Sequence, residues 1–196
     1  GADGTGSSSG MLVVRSGNGG SGTFEVMTQS VNFPVESANV VFRTGTATVP
    51  KTVYNITRDM TVSGNFTMRG GNVVNLTSGT TLSVAGTISS YGSDTASLTV
   101  NGTAYVGSVS DTIIYVYSSN SLHVSGTVTT TGVIVVGDGT SASNNGYADI
   151  KTLAGKLIVK NMAGARATEV EETTTTAQIS INNSTSAVAI TEKNET

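Results

Sequence analysis

The sequence predicts an all-β fold on three observations: a surface made of Thr, Ser, Asn and Gly, short apolar runs that alternate with small polar residues, and a recurrent Gly-terminated unit. Of 196 residues, 12% are charged and 37% hydrophobic, with a mean hydropathy of +0.06. Charged residues are about half as frequent as in an ordinary domain, so uncharged polar side chains must supply the water-facing surface. Threonine and valine have branched Cβ atoms that pack well on a pleated strand, and Gly and Asn suit the turns between strands. The 24 glycines keep no Gly-x-y period, which excludes a collagen helix. The length allows one domain of ordinary size, or one domain with tails.

The repeat unit reads apolar-x-Val-x-Gly. It occurs as Met60-Thr-Val62-Ser-Gly64-Asn65, Leu82-Ser-Val84-Ala-Gly86-Thr87, Leu98-Thr-Val100-Asn-Gly102-Thr103 and Leu122-His-Val124-Ser-Gly126-Thr127. A weaker copy, Leu157-Ile-Val159-Lys-Asn161, has Asn in place of Gly. The two apolar residues of each unit alternate with small ones, the period of a half-buried strand. The glycine is expected to take positive φ and turn the chain. Further strands are expected at Val73–Leu76, Tyr105–Val106, Ile113–Tyr117 and Val133–Val136, each bounded by Gly, Ser or Asn.

Successive units start 22, 16, 24 and 35 residues apart, about the length of one coil of a parallel β-helix. From Asn55 to Asn161 the repeat resembles the right-handed β-helix of secreted adhesins and passenger domains. That resemblance is to an architecture and not to one family, and it makes a parallel β-helix the favoured fold. Uneven spacing and frequent turn signals keep a β-sandwich or jelly roll as the alternative.

The ends differ from the middle. Residues 1–22 form a Gly/Ser-rich extension around Met11-Leu12-Val13-Val14, residues 23–165 the β-rich core, and residues 166–196 an acidic and Thr-rich tail with strands near Gln178–Ile181 and Ala187–Ile190. Ile150, Leu153 and Leu157 fall at spacings of three and four, which allows a short helix within Tyr147–Val159.

Charge narrows the partners. Between Gly70 and Ile150 there is no Lys or Arg, and the only acidic residues are Asp94, Asp111, Asp138 and Asp149. Nucleic acid needs clustered cations to displace its counterions, so it is not an expected partner. A weakly charged surface does little to keep copies of the chain apart, which suits self-association. No apolar run approaches the 18 or so residues of a transmembrane helix. The opening at Gly1 is read as removal of a signal peptide, placing the protein outside the cell or on its surface. Sequons at Asn55, Asn65, Asn75, Asn101, Asn182, Asn183 and Asn194 fit that compartment as candidate glycosylation sites, although a chain so rich in Ser and Thr creates several by chance.

Motifs for chemistry are sparse. Gly17-Asn-Gly19-Gly-Ser-Gly22 matches a dinucleotide fingerprint, but Thr23-Phe24-Glu25-Val26-Met27 after it reads as a strand where that motif needs a helix. The one histidine, His123, alternates away from the apolar positions Leu122 and Val124, so a solvated or lateral-contact role is expected. No serine sits in a nucleophile elbow, and the chain is expected not to be an enzyme. The loop from Asp138 to Asp149 offers Asp138, Asn144, Asn145 and Asp149 as hard oxygen ligands suited to calcium, the one candidate cofactor; the same residues also make ordinary Asp-Gly and Asn-Gly turns. Thr44-x-Thr46-x-Thr48 and Thr127-x-Thr129 invite ice binding, but such rows do not recur at the coil interval, and strand propensity explains them more simply.

The expected function is structural: a subunit of an extracellular filament or surface layer that polymerises with itself by β-strand exchange. Met11, Leu12, Val13 and Val14 are the candidate donor strand, apolar and set between flexible tracts. In layout alone they resemble the terminal donor strands of chaperone-built pili and archaeal surface threads. Folding back along the edge of their own domain is the competing role, and Ala187–Ile190 is a rival donor. The alternative function is a carbohydrate- or ice-binding adhesin module, with cell-surface glycans as partners.

Overall fold

A computed structural model describes residues 12–14, 22–26, 30–43, 52–117, 120–137, 146–160, 167–171, 177–184 and 187–194. Among them every regular element is a strand, so no helix is long and apolar enough to cross a membrane. The strands stack in coils, each coil contributing to three faces.

The first coil contains β1 (Leu12–Val14), β2 (Thr23–Val26) and β3 (Ser30–Val31). Next come β4 (Val35–Ser37), β5 (Asn39–Phe42) and β6 (Val53–Ile56), then β7 (Met60–Val62), β8 (Phe66–Arg69) and β9 (Val73–Leu76). In later coils the first two faces are served by one long strand. These pairs are β10 (Thr81–Tyr91) with β11 (Ala96–Val100), β12 (Thr103–Ser110) with β13 (Thr112–Val116), β14 (Asn120–Val128) with β15 (Val133–Val136), and β16 (Gly146–Leu153) with β17 (Lys156–Lys160). All pairings between these coils are parallel. That settles the fold as a parallel β-solenoid rather than a sandwich, whose sheets are antiparallel. β18 (Ala167–Glu171), β19 (Ala177–Ser184) and β20 (Ala187–Asn194) follow and pair antiparallel, on β17, on β16 and on β19 respectively.

Register explains the uneven repeat. On the first face Val35, Met60, Leu82, Ala104, Leu122 and Ala148 lie in one inward column. Leu98 is not among them: it stands on the third face between Val74 and Ile114, and Leu157 stacks on Ile134 in the same column. The repeat therefore mixes two faces. From Met60 the first-face intervals are 22, 22, 18 and 26 residues; the expected strand Tyr105–Val106 belongs to the same column series, and Ala104 in the Leu position sets it apart from the repeat. The possible helix near Ile150 is also corrected. Ile150, Leu153 and Leu157 each point inward from a different face, so corners between faces mimic helical spacing.

The core is a set of such columns. Val40, Phe66, Ile88, Val109 and Val128 line the second face, and Ile56, Leu76, Val100, Val116 and Val136 the third, all fully buried. Each side chain of this kind contributes about 1.5–3 kcal/mol by leaving water. Phe42 sits 5.0 Å from Phe66 and 5.2 Å from Tyr54, ring centre to ring centre, filling the early coils; the same columns continue as Ile88 and Val109 after Phe66 and as Val74 and Leu98 after Tyr54.

The repeat glycine has a different duty from the expected one. Positive φ occurs at Gly71, Gly79, Gly92 and Gly137, not at Gly64, Gly86 or Gly126. These three line the corner between the first and second faces, where backbones approach closely. Gly86 N–H donates to Gly64 O at 2.9 Å, and a Cβ on Gly86 would lie 2.5 Å from Asn65 Oδ1 and 2.8 Å from the Gly64 carbonyl carbon. The ladder slips register here, between Val84 and Thr87, so the residue after the glycine repairs it. Asn39 Oδ1 accepts from Asn65 N–H at 3.0 Å, Asn65 Oδ1 from Thr87 N–H at 2.9 Å, and Ser108 Oγ from Thr127 N–H at 3.2 Å.

Candidate functional site

Three surfaces carry side chains with a possible role: the outer side of the first face, the outer side of the second, and the ends of the stack.

On the first face, alternation turns Glu36, Thr61, Ser83, Tyr105, His123 and Asp149 outward in one column, with Thr81, Thr103, Ser121 and Tyr147 beside it. The Tyr105 and His123 rings stack at 4.9 Å with 13° between planes, and Tyr147 lies 5.5 Å from His123 at 52°. Tyr105 is 50% exposed. His123 thus has the outward, lateral place that alternation implied. Tyr105 and Tyr147 were missed because Ala104 and Ala148 replace the large apolar residue that marks the unit; the signal was the alternation Ala-Tyr-Val and Gly-Tyr-Ala.

On the second face, the outward residues are hydroxyls coil after coil. Thr87, Ser108, Thr127 and Thr152 form one column, and Thr67, Ser89 and Ser110 another. Of the expected threonine rows, Thr44, Thr46 and Thr48 lie outside the described residues, and Thr127 stands in the first of these columns; bends between faces vary the sequence interval while the columns stay aligned. Several of these hydroxyls also serve the fold. Ser108 caps Thr127, Ser110 Oγ donates to Asp111 at 2.7 Å, and Thr129 shares a hydrogen bond with Thr131 at 3.2 Å. The third face is mixed, with Val73, Ile113, Tyr115, Val133 and Ile158 turned outward beside Asn55, Asn75, Ser97 and Thr99.

The other expected residues are scattered. Leu12, Val13 and Val14 form β1 and pair parallel with Val35, Glu36 and Ser37 of the same chain, the competing role for that segment; Met11 lies outside the described residues, as do Gly17 and Gly19. The strand expected after Gly22 is β2, so no helix follows the glycines. Asp138, Asn144 and Asn145 also lie outside the described residues, while Asp149 is on β16 opposite His123. Among the described residues no three His, Asp or Glu side chains gather as metal ligands would. Of the sequons, Asn65 is exposed at the corner, and Asn75 Nδ2 donates to Asn55 Oδ1 at 3.2 Å on the third face. Asn101 N–H donates to Leu76 O at 2.9 Å. Asn182 and Asn183 lie on β19, and Asn194 ends β20.

No family model, curated protein or solved structure matches the chain.

Proposed function

We propose that this chain is a structural subunit of an extracellular filament or surface layer, joined end to end through its sheet edges. The observation that carries the reading is the strand order. One sheet runs from β1 at one end to β20 at the other, and the second from β3 to β18. Among the described residues β1 at one end, and β20 and β18 at the other, each pair along one side only. Such an edge recruits another strand by backbone hydrogen bonds, and a contact between unlike ends does not close, so it propagates into a fibre. The weak charge of the surface favours copies of the same chain as neighbours.

Strand exchange is the proposed form of that contact. β1 is three residues long and separated from β2 by residues 15–22, which can span about 28 Å when extended. Its place beside β4 can be taken by β1 of a neighbour with the same hydrogen bonds, so exchange costs little. Negative-stain microscopy of the purified protein tests the reading. Uniform unbranched fibres are expected, and dispersed monomers across salt and calcium conditions would refute it.

A second reading, a saccharide- or ice-binding module, is favoured by the exposed Tyr105 and by the hydroxyl columns of the second face.

A further inference from the structure

We propose that Tyr105 and the small residues beside it form a stacking shelf for a neutral saccharide on the first face. The inference rests on the saccharide-binding reading and is independent of filament formation.

Tyr105 is the most exposed large apolar side chain among the described residues, ahead of Val53 at 46% and Tyr91 at 38%. One side of its ring is covered by His123. On the other side the paired residue is Ser83, followed by Thr61 and then Glu36. Coils stand about 4.8 Å apart, so two small residues leave a bay of about 14 Å between the Tyr105 and Glu36 positions. Thr81 lies at the same level as Ser83, two residues back along β10, and adds a third hydroxyl to the floor.

This pairing of surfaces fits a sugar ring. A pyranose has an apolar face of C–H groups and a rim of hydroxyls. The electron-rich face of a tyrosine attracts polarised C–H groups, while Ser83, Thr61 and Thr81 can donate to and accept from the rim. His123 already restrains the Tyr105 ring by stacking, so less freedom is lost on binding. Charge selects the sugar class: Glu36 ends the bay and Asp59 Oδ1 accepts the Thr81 N–H at 2.8 Å beside its floor, while the exposed Lys151 stands three coils away from Ser83, which disfavours acidic glycans.

The test titrates the full chain with maltohexaose, laminarihexaose, cellohexaose and chitohexaose, following tyrosine fluorescence and affinity electrophoresis. Saturable binding of at least one is expected. Tyr105→Ala should weaken it about tenfold or more, whereas Tyr105→Phe should stay within about twofold. Ser83→Tyr, which adds a ring to the stack and fills the bay, should abolish binding without unfolding the chain. Fibre formation should be the same in all three variants. If none of the four oligosaccharides binds, both the shelf and the saccharide reading fall. If binding survives unchanged in Tyr105→Ala and Ser83→Tyr, the chain binds sugar elsewhere and the shelf alone falls.

Discussion

Asn65 Oδ1 accepts the backbone N–H of Thr87, one coil further along the axis, at 2.9 Å. At this corner the strand ladder slips, and the side-chain amide takes the place of the missing backbone carbonyl. Asn65→Ala should therefore cost about 1 kcal/mol, the usual net worth of one hydrogen bond. Asn65→Asp keeps the acceptor and should retain most of the stability. Urea unfolding midpoints of the three proteins measure the difference, and equal midpoints for Ala and Asp would show that the amide is not supporting the corner.

Gly86 and Gly79 test two different reasons for glycine. Gly86 has ordinary φ but no room, since an added Cβ meets Asn65 Oδ1 and the Gly64 backbone. Gly79 has room, with nothing within 4 Å, but its φ is +75°. Gly79→Ala should cost about 1–2 kcal/mol, the penalty of a left-handed residue. Gly86→Ala should cost more, because backbone on two coils must shift, and thermal unfolding should show that order. The reverse order would mean that the corner yields easily.

Leu122 is fully buried in a column between Ala104 and Ala148. Its small neighbours cannot fill the space it would leave, so Leu122→Ala should fall at the costly end of such changes, about 4–5 kcal/mol. Val124→Ala in the neighbouring column, between Val106 and Ile150, removes less and should cost about half as much. Chemical denaturation of both variants decides, and similar losses would show that the Leu122 site collapses.

The parallel solenoid was legible in the sequence because inward residues keep strict alternation inside each strand. Val73–Leu76 and Val133–Val136 coincide with β9 and β15. The coil register was harder to read. Met60, Leu82 and Leu122 share a face, but Leu98 has the same local motif on another, since alternation specifies burial and not which face is being built. The glycine's role was hidden for a related reason. Close approach depends on the neighbouring coil, 22 residues away at Gly64 and Gly86, and not on local turn chemistry. The aromatic row was illegible as a row because Tyr105, His123 and Tyr147 become neighbours only through coils of unequal length.

The proposed strand exchange can be recorded by introduced cysteines, because the chain contains none of its own. Val13 pairs with Glu36, and adjacent strands hold Cα atoms about 4.8 Å apart, within disulfide range. In the double variant Val13→Cys, Glu36→Cys, oxidation of monomers should link the strand within its own chain. Oxidation after fibre growth should instead give covalent ladders on a non-reducing gel. Mixing chains that carry only Val13→Cys with chains that carry only Glu36→Cys should give linked pairs in fibres and none in dilute monomers. Deletion of residues 1–22 should leave a folded, soluble chain that does not polymerise. If fibres form but every disulfide remains within a chain, subunits meet at their edges without exchanging β1. If the deleted chain still makes normal fibres, β1 has no part in the contact, and the β20 edge becomes the segment to block.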